Sequence, residues 1–182
     1  MPDKIQIGDN DMGLKAVIRD MIPLRYQVPA KFLYNRFNGG LEPELRILDL
    51  LVDDGDHVID VGGNRGTYAY ILHDLNCRVE VFEPNGVCAA ILGAWAADKA
   101  LVNLHSVALS NTEGKAVLHV PVDAAGVAHD ASASLENTPS GSVQDKTVEL
   151  RTLDSFCFAD IAFIKIDVEG HEFSVIEGAT DS

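Results

Sequence analysis

The stretch HVIDVGGNRGTYAYIL, residues 57–72, constrains the chain more than any other part of it. An apolar run ends in Asp60, glycines follow at 62, 63 and 66, and an apolar-periodic segment begins at Thr67. A short, almost wholly apolar strand is the mark of a parallel strand buried on both faces. Glycines directly after it let backbone amides approach a ligand with no Cβ in the way. The chain therefore has to build an α/β sheet whose first turn serves a small molecule.

The flanking pattern extends this reading. GLKAVIRDMI, residues 13–22, has helical spacing and stops at Pro23. A second amphipathic helix is expected in EPELRILDLLVDDGD, residues 42–56, with Leu45, Leu48 and Leu51 on one side and Pro43 in its first turn. After the strand at 57–61 come a helix from Thr67 to Leu75, a strand at 78–83, a helix from Pro84 to about Asp98 and a strand at 102–109. Strand and helix in alternation imply a parallel sheet with helices on both faces. The alternation then breaks, because 115–121 and 146–153 read as strands with no helix between them and are expected to pair antiparallel. Residues 122–145, between them, are small and polar and include His129, and loops of that length commonly serve function. A last core strand in IAFIKIDVEG, residues 161–170, runs into a helix begun by HEFSVIEGA. The expected organisation is an N-terminal helical segment over 1–40 and one nucleotide-binding type of domain over 41–182.

Composition narrows the function classes. At 182 residues and 47% hydrophobic content the chain has enough material for one substantial core. No apolar run reaches the roughly 20 residues that span a bilayer, and the polar, acidic start is unlike a secretory signal, so a cytoplasmic location with no membrane partner is expected. A net charge of −14 argues against nucleic acid as a partner, since a binder of phosphates needs a basic face. Residues 1–46 are the exception, with Lys15, Arg19, Arg25, Lys31 and Arg36 against Asp20 in their midst, either a patch for an anionic group or the solvated side of a helix. Cys77, Cys88 and Cys157 form no paired-cysteine motif and read as reduced thiols.

The glycine turn can be tested against the dinucleotide fingerprint GxGxxG, in which a pyrophosphate sits on the helix N-terminus. From Gly62 that pattern needs glycine at Asn64 and Thr67, and from Gly63 at Arg65 and Tyr68, so it fails in every register. What fits is D-x-G-x-N-x-G, made by Asp60, Gly62, Asn64 and Gly66. That is the methyltransferase style of loop, suited to S-adenosylmethionine, which presents an amino-acid tail, a ribose diol and an adenine. Backbone around Gly62–Asn64 can meet the tail, with Asp60 near its ammonium. A diol calls for a carboxylate at the end of the second strand, and Glu83 stands there.

Together DVGGNRGTYAY, VEVFEPN, HSVALSNTEGKAVLHV, RTLDSF and FIKIDVEGHEFSVIEGA resemble the ordered motifs of the FkbM family of S-adenosylmethionine-dependent methyltransferases, from about Gly40 to Ala179. The resemblance implies a class I, Rossmann-like methyltransferase fold, S-adenosylmethionine as cofactor, and transfer of a methyl group to a hydroxyl of a small molecule or glycan. It implies a cofactor set of Asp60, Gly62, Gly63, Asn64, Gly66, Tyr68, Glu83, Pro84, Val107 and Ala108. Gly63 replaces the family's usual alanine, which is expected to loosen the turn. Against a seven-stranded class I sheet this sequence ends after the fourth parallel strand, so the C-terminal strands are expected to be lacking and the exposed edge to favour a homo-oligomer.

In-line methyl transfer from a sulfonium needs mainly positioning, although the high pKa of an alcohol makes a base useful. The carboxyl end of the FIKID strand, where open α/β sheets bind ligands, offers Asp167, His171 and Lys165 as catalytic candidates, with Glu169 and Glu172 beside them. Asp167 without evident partner ligands is a poor metal site, and none is expected. The rival readings are a noncatalytic cofactor-binding or interaction protein, a nucleic-acid methyltransferase, and a nicotinamide-dependent redox enzyme. The acidic charge and the lack of an N/D-P-P-Y sequence oppose the second of these, and the failed fingerprint opposes the third.

Overall fold

In the computed structural model, which describes residues 21–123, 128–129, 132–136 and 141–182, four parallel strands form the central sheet. They are β1 (His57–Val61), β2 (Arg78–Phe82), β3 (Val102–His105) and β7 (Ile161–Ile166), in the order β3-β2-β1-β7. Every residue of β1 is buried, as its apolar run requires. In register, Asp60 lies opposite Val81 on one side and Lys165 on the other.

Alternation along the strands divides the core. Val58, Val79 and Val81 face three helices, α1 (Leu24–Phe37), α2 (Thr67–Asp74) and α3 (Gly86–Ala96), and pack with Val28, Leu72, Leu92 and Trp95. Ile59, Val61 and Phe82 face the other way, toward Leu153, a 3-10 turn at Asp154–Phe156 and the short helix α4 (Glu172–Glu177) through Val175. A second sheet, β4-β6-β5, joins β4 (Ala108–Leu109), β5 (Gly114–Val122) and β6 (Ser142–Arg151), and the expected antiparallel pairing is the one between β5 and β6. It has a small core of its own, Ala108, Leu118, Val120 and Val148. The result is a mixed α/β architecture with a mostly parallel sheet, compatible with a Rossmann-like methyltransferase.

Three expectations are corrected. The helix expected over 42–56 is instead a pair of 3-10 turns, Pro43–Arg46 and Leu48–Leu50. Spacing of i, i+3, i+6 fits a three-residue turn as well as an α-helix, and of that stripe Leu45 and Leu48 are buried while Leu51 stays half exposed. The single strand expected over 102–109 is two, because the chain leaves the parallel sheet after His105 and pairs Ala108 and Leu109 with β6. Pro23, read as a helix stop, is the N-cap of α1, which runs on through Pro29. The helix expected over 13–22 lies, as far as residue 20, outside the described residues, as do 124–127, 130–131 and 137–140 of the long loop. No described helix is long and apolar enough to cross a membrane.

Candidate functional site

The glycine turn forms at the carboxyl end of β1. Gly62 and Gly63 both donate their amides to the Phe82 carbonyl, at 2.9 and 3.1 Å, tying the turn to the neighbouring strand. Gly62 has φ +77°, and a Cβ there would lie 2.0 Å from the Asp167 carbonyl oxygen, so only glycine lets the turn pass under the end of β7. Gly63 corrects the expectation of a looser turn: a Cβ there would come within 2.4 Å of Val81 Cγ1, and the loop packs down because none is present. Asn64 has φ +48°, a conformation that asparagine tolerates better than most residues.

Glu83 follows β2 directly. Its carboxylate accepts from the Asn64 amide at 2.6 Å and the Asn85 amide at 2.7 Å, one on each oxygen. Burial pushes its pKa up to about 7, with the charge of Asp60 adding to the rise, and the two amides and Lys165 hold it from going further. Asn85 also caps α3, accepting from the Val87 amide, and receives a hydrogen bond from Lys146.

Beneath the turn lies a second charged group. Asp60 is fully buried, has no hydrogen bond among the described residues, and is held by Lys165 Nζ at 3.0 Å from Oδ1. Lys165 donates as well to the carbonyls of Gly62 (2.9 Å) and Val61 (3.3 Å), and its Nζ lies 4.9 Å from the centre of the Tyr68 ring. The Tyr68 hydroxyl donates to Glu42 at 2.8 Å, and burial, with that hydrogen bond behind it, pushes the phenol pKa well up. Asp167 lies 3.9 Å from Lys165 and is largely exposed.

These parts surround a cleft, open to solvent, between the two sheets. Of the residues singled out in the sequence, Gly62, Asn64, Glu83, Pro84, Val107, Ala108, Asp167, Glu169 and His171 line it. Asp60, Gly63, Gly66, Tyr68 and Lys165 do not; they form the layer that shapes the turn from below. His171, 9% exposed, has Nδ1 2.7 Å from Glu136 and Nε2 3.0 Å from the Ser110 hydroxyl. His129 pairs with Asp123 at 3.7 Å. Sequence reasoning missed Leu118, Ala133 and Leu135, which close the apolar side of the cleft. It missed Lys146, Ser110 and Glu136 too, because their partners are far away in sequence. No group of three or more His, Cys, Asp or Glu residues among the described residues is arranged to hold a metal ion.

A glycine turn after the first parallel strand, a carboxylate after the second and an open cleft above both are the arrangement that the sequence led us to expect of a methyltransferase. The comparison with known families agrees: the model of the methyltransferase FkbM domain matches residues 60–182, about two thirds of the chain, and the chain belongs to that family. No curated protein and no solved structure matches it significantly.

Proposed function

We propose that the chain is a cytoplasmic S-adenosylmethionine-dependent O-methyltransferase whose acceptor is a hydroxyl of a small molecule or glycan. The observation that carries the reading is the Glu83 carboxylate in the same cleft as the glycine turn. Each of its oxygens already accepts one backbone amide, and each keeps lone-pair capacity for a hydroxyl of a ribose diol. The rest of the cleft fits the same group. The space a Cβ at Gly62 would fill is kept by backbone, Val107, Ala108, Leu109, Leu118 and Leu135 offer an apolar wall for an adenine, and Asp60 sets a negative charge beneath a cationic tail.

S-adenosylmethionine would supply a methyl group already activated on a sulfonium. The chain's own residues then have three tasks. Gly62, Gly63 and Asn64 shape the turn that seats the tail, while Glu83 fixes the ribose. Lys165 holds Asp60 and the carbonyls of Val61 and Gly62 in one geometry, which makes it a positioning residue. Asp167, exposed at the mouth of the cleft, takes the proton that the acceptor hydroxyl releases as the methyl group is transferred.

Calorimetric titration tests the reading. S-adenosylmethionine and S-adenosylhomocysteine should bind saturably, NAD should not, and Glu83→Ala should weaken both of the first two by at least tenfold. Failure of a folded chain to bind either sulfur nucleotide would sink it. Once binding is found, transfer of labelled methyl to a panel of hydroxylated acceptors tests the chemistry, and Asp167→Asn should lower turnover more than cofactor affinity.

A further inference from the structure

The connection between β5 and β6 returns to the cleft at residues 132–136. Ser134 exchanges two backbone hydrogen bonds with His119 on β5, at 2.9 and 3.1 Å, and its hydroxyl donates to the Glu169 carbonyl at 2.9 Å. The neighbours of Ser134, Ala133 and Leu135, turn into the cleft and form part of its wall. At the end of this short strap Glu136 meets His171 Nδ1 at 2.7 Å, and on the far side of the ring Nε2 lies 3.0 Å from the Ser110 hydroxyl.

A carboxylate at that distance takes the proton on Nδ1, and Nε2 closes the relay on the Ser110 hydroxyl. Serine, histidine and carboxylate in this order can activate a nucleophilic hydroxyl. Here they cannot serve that purpose, because Ser110 is 2% exposed and is not among the residues that line the cleft. The relay is mechanical. It joins three elements in one chain of contacts: the end of β4 through Ser110, the start of α4 through His171, and the strap through Glu136.

We propose that Glu136 and His171 latch residues 132–136 across the cleft as a strap, and so are positioning residues that set how long the cofactor stays bound. This rests on reading the cleft as an S-adenosylmethionine site. Both ring nitrogens of His171 are occupied by the latch, so the proton-accepting role belongs to Asp167 and not to His171. Glu136 is half exposed, which makes it the residue to change without opening the core.

The test compares wild type, Glu136→Ala and Glu136→Gln in two measurements. One is the rate at which bound S-adenosylhomocysteine dissociates, followed by stopped flow. The other is hydrogen exchange of the Ser134 amide, which is bonded to His119, in the cofactor-free protein. Loss of a charge-assisted hydrogen bond should speed dissociation about tenfold in Glu136→Ala. Exchange at Ser134 should rise by a similar factor, because the strap opens more often. Glu136→Gln should stay within about twofold of wild type in both, since its amide oxygen still accepts from Nδ1. If Glu136→Ala leaves both rates unchanged in a chain that binds S-adenosylhomocysteine, the latch is overturned and the cofactor reading stands. If wild type binds no S-adenosylhomocysteine while exchange at Ser134 still rises in Glu136→Ala, the strap is real but its role in cofactor retention is overturned along with the cofactor reading.

Discussion

Glu83 holds one carboxylate between two backbone amides with little water around it, and burial leaves its pKa near 7. A ribose diol donates hydrogen bonds and so favours the ionised form. Cofactor binding should therefore strengthen as pH rises from 6 to 8 and release roughly half a proton per site near pH 7. Calorimetry in two buffers of different ionisation enthalpy reads that proton directly, and identical heats would refute the mechanism. In the free protein the shift acts in the opposite sense. A carboxyl whose folded pKa is raised adds stability fully present below about pH 4.3 and lost as pH rises through about 7. Gly63 permits a second test at this scale. Gly63→Ala forces a Cβ against Val81 Cγ1 and should cost about 1–3 kcal/mol. Pairing it with Val81→Ala removes the clash, so thermal melts of the two single variants and the double should show strong non-additivity. Strictly additive losses would place the strain elsewhere.

Glu80 shows how side chains couple strands that the backbone has already paired. It sits on β2, on the face away from α2 and α3, and accepts from Asn103 at 2.8 Å and His105 at 2.7 Å, both around β3, with His57 of β1 at 3.6 Å. Burial opposes its charge, yet the hydrogen bonds from His105 and Asn103 and the charges of His105 and His57 outweigh that and hold its pKa below the ordinary value. The sign follows: a depressed carboxylate stabilises above about pH 4.3, and the contribution is lost as pH falls through the folded value. Glu80→Gln should therefore flatten the acid limb of the stability curve measured by urea titration between pH 3 and 7. Glu80→Ala, which leaves the Asn103 and His105 donors without their acceptor, should cost about 2–3 kcal/mol at pH 7.

The same elements mark what was legible in the sequence. The two βα steps and the third strand from His57 to His105 were readable, because buried apolar runs and glycine punctuation act over a few residues. Glu83 and the turn were found by spacing alone. The two 3-10 turns were misread because a three-residue apolar stripe does not separate 3-10 from α. Helix α1 falls within the N-terminal segment expected to be helical, but its bounds were not readable, because Pro23 and Pro29 interrupt the pattern and, of its residues, only Gln27 and Val28 are buried. Bonds such as Ser110 to His171 and Lys146 to Asn85 join residues 61 apart, and no local pattern carries them.

Across the whole molecule, the ion pair between Asp60 and Lys165 is where stability and the proposed activity can be separated. The two residues face each other across β1 and β7, and Lys165 reaches up from there to the carbonyls that begin the glycine turn. Removing the lysine alone leaves a fully buried carboxylate with neither hydrogen bond nor counter-charge, so Lys165→Met should cost about 3–5 kcal/mol. Replacing both, Asp60→Asn with Lys165→Met, removes the uncompensated charge, and double replacements of buried ion pairs are often near neutral. The double variant should thus melt much closer to wild type than Lys165→Met does. If the pair exists only to hold the sheet together, cofactor affinity should recover along with stability. If Asp60 supplies negative charge to a cationic tail and Lys165 shapes the turn, affinity should stay at least tenfold weaker in a chain that folds normally. Melting temperature and S-adenosylhomocysteine affinity, measured on the same three proteins, decide between a brace for the fold and a part of the site.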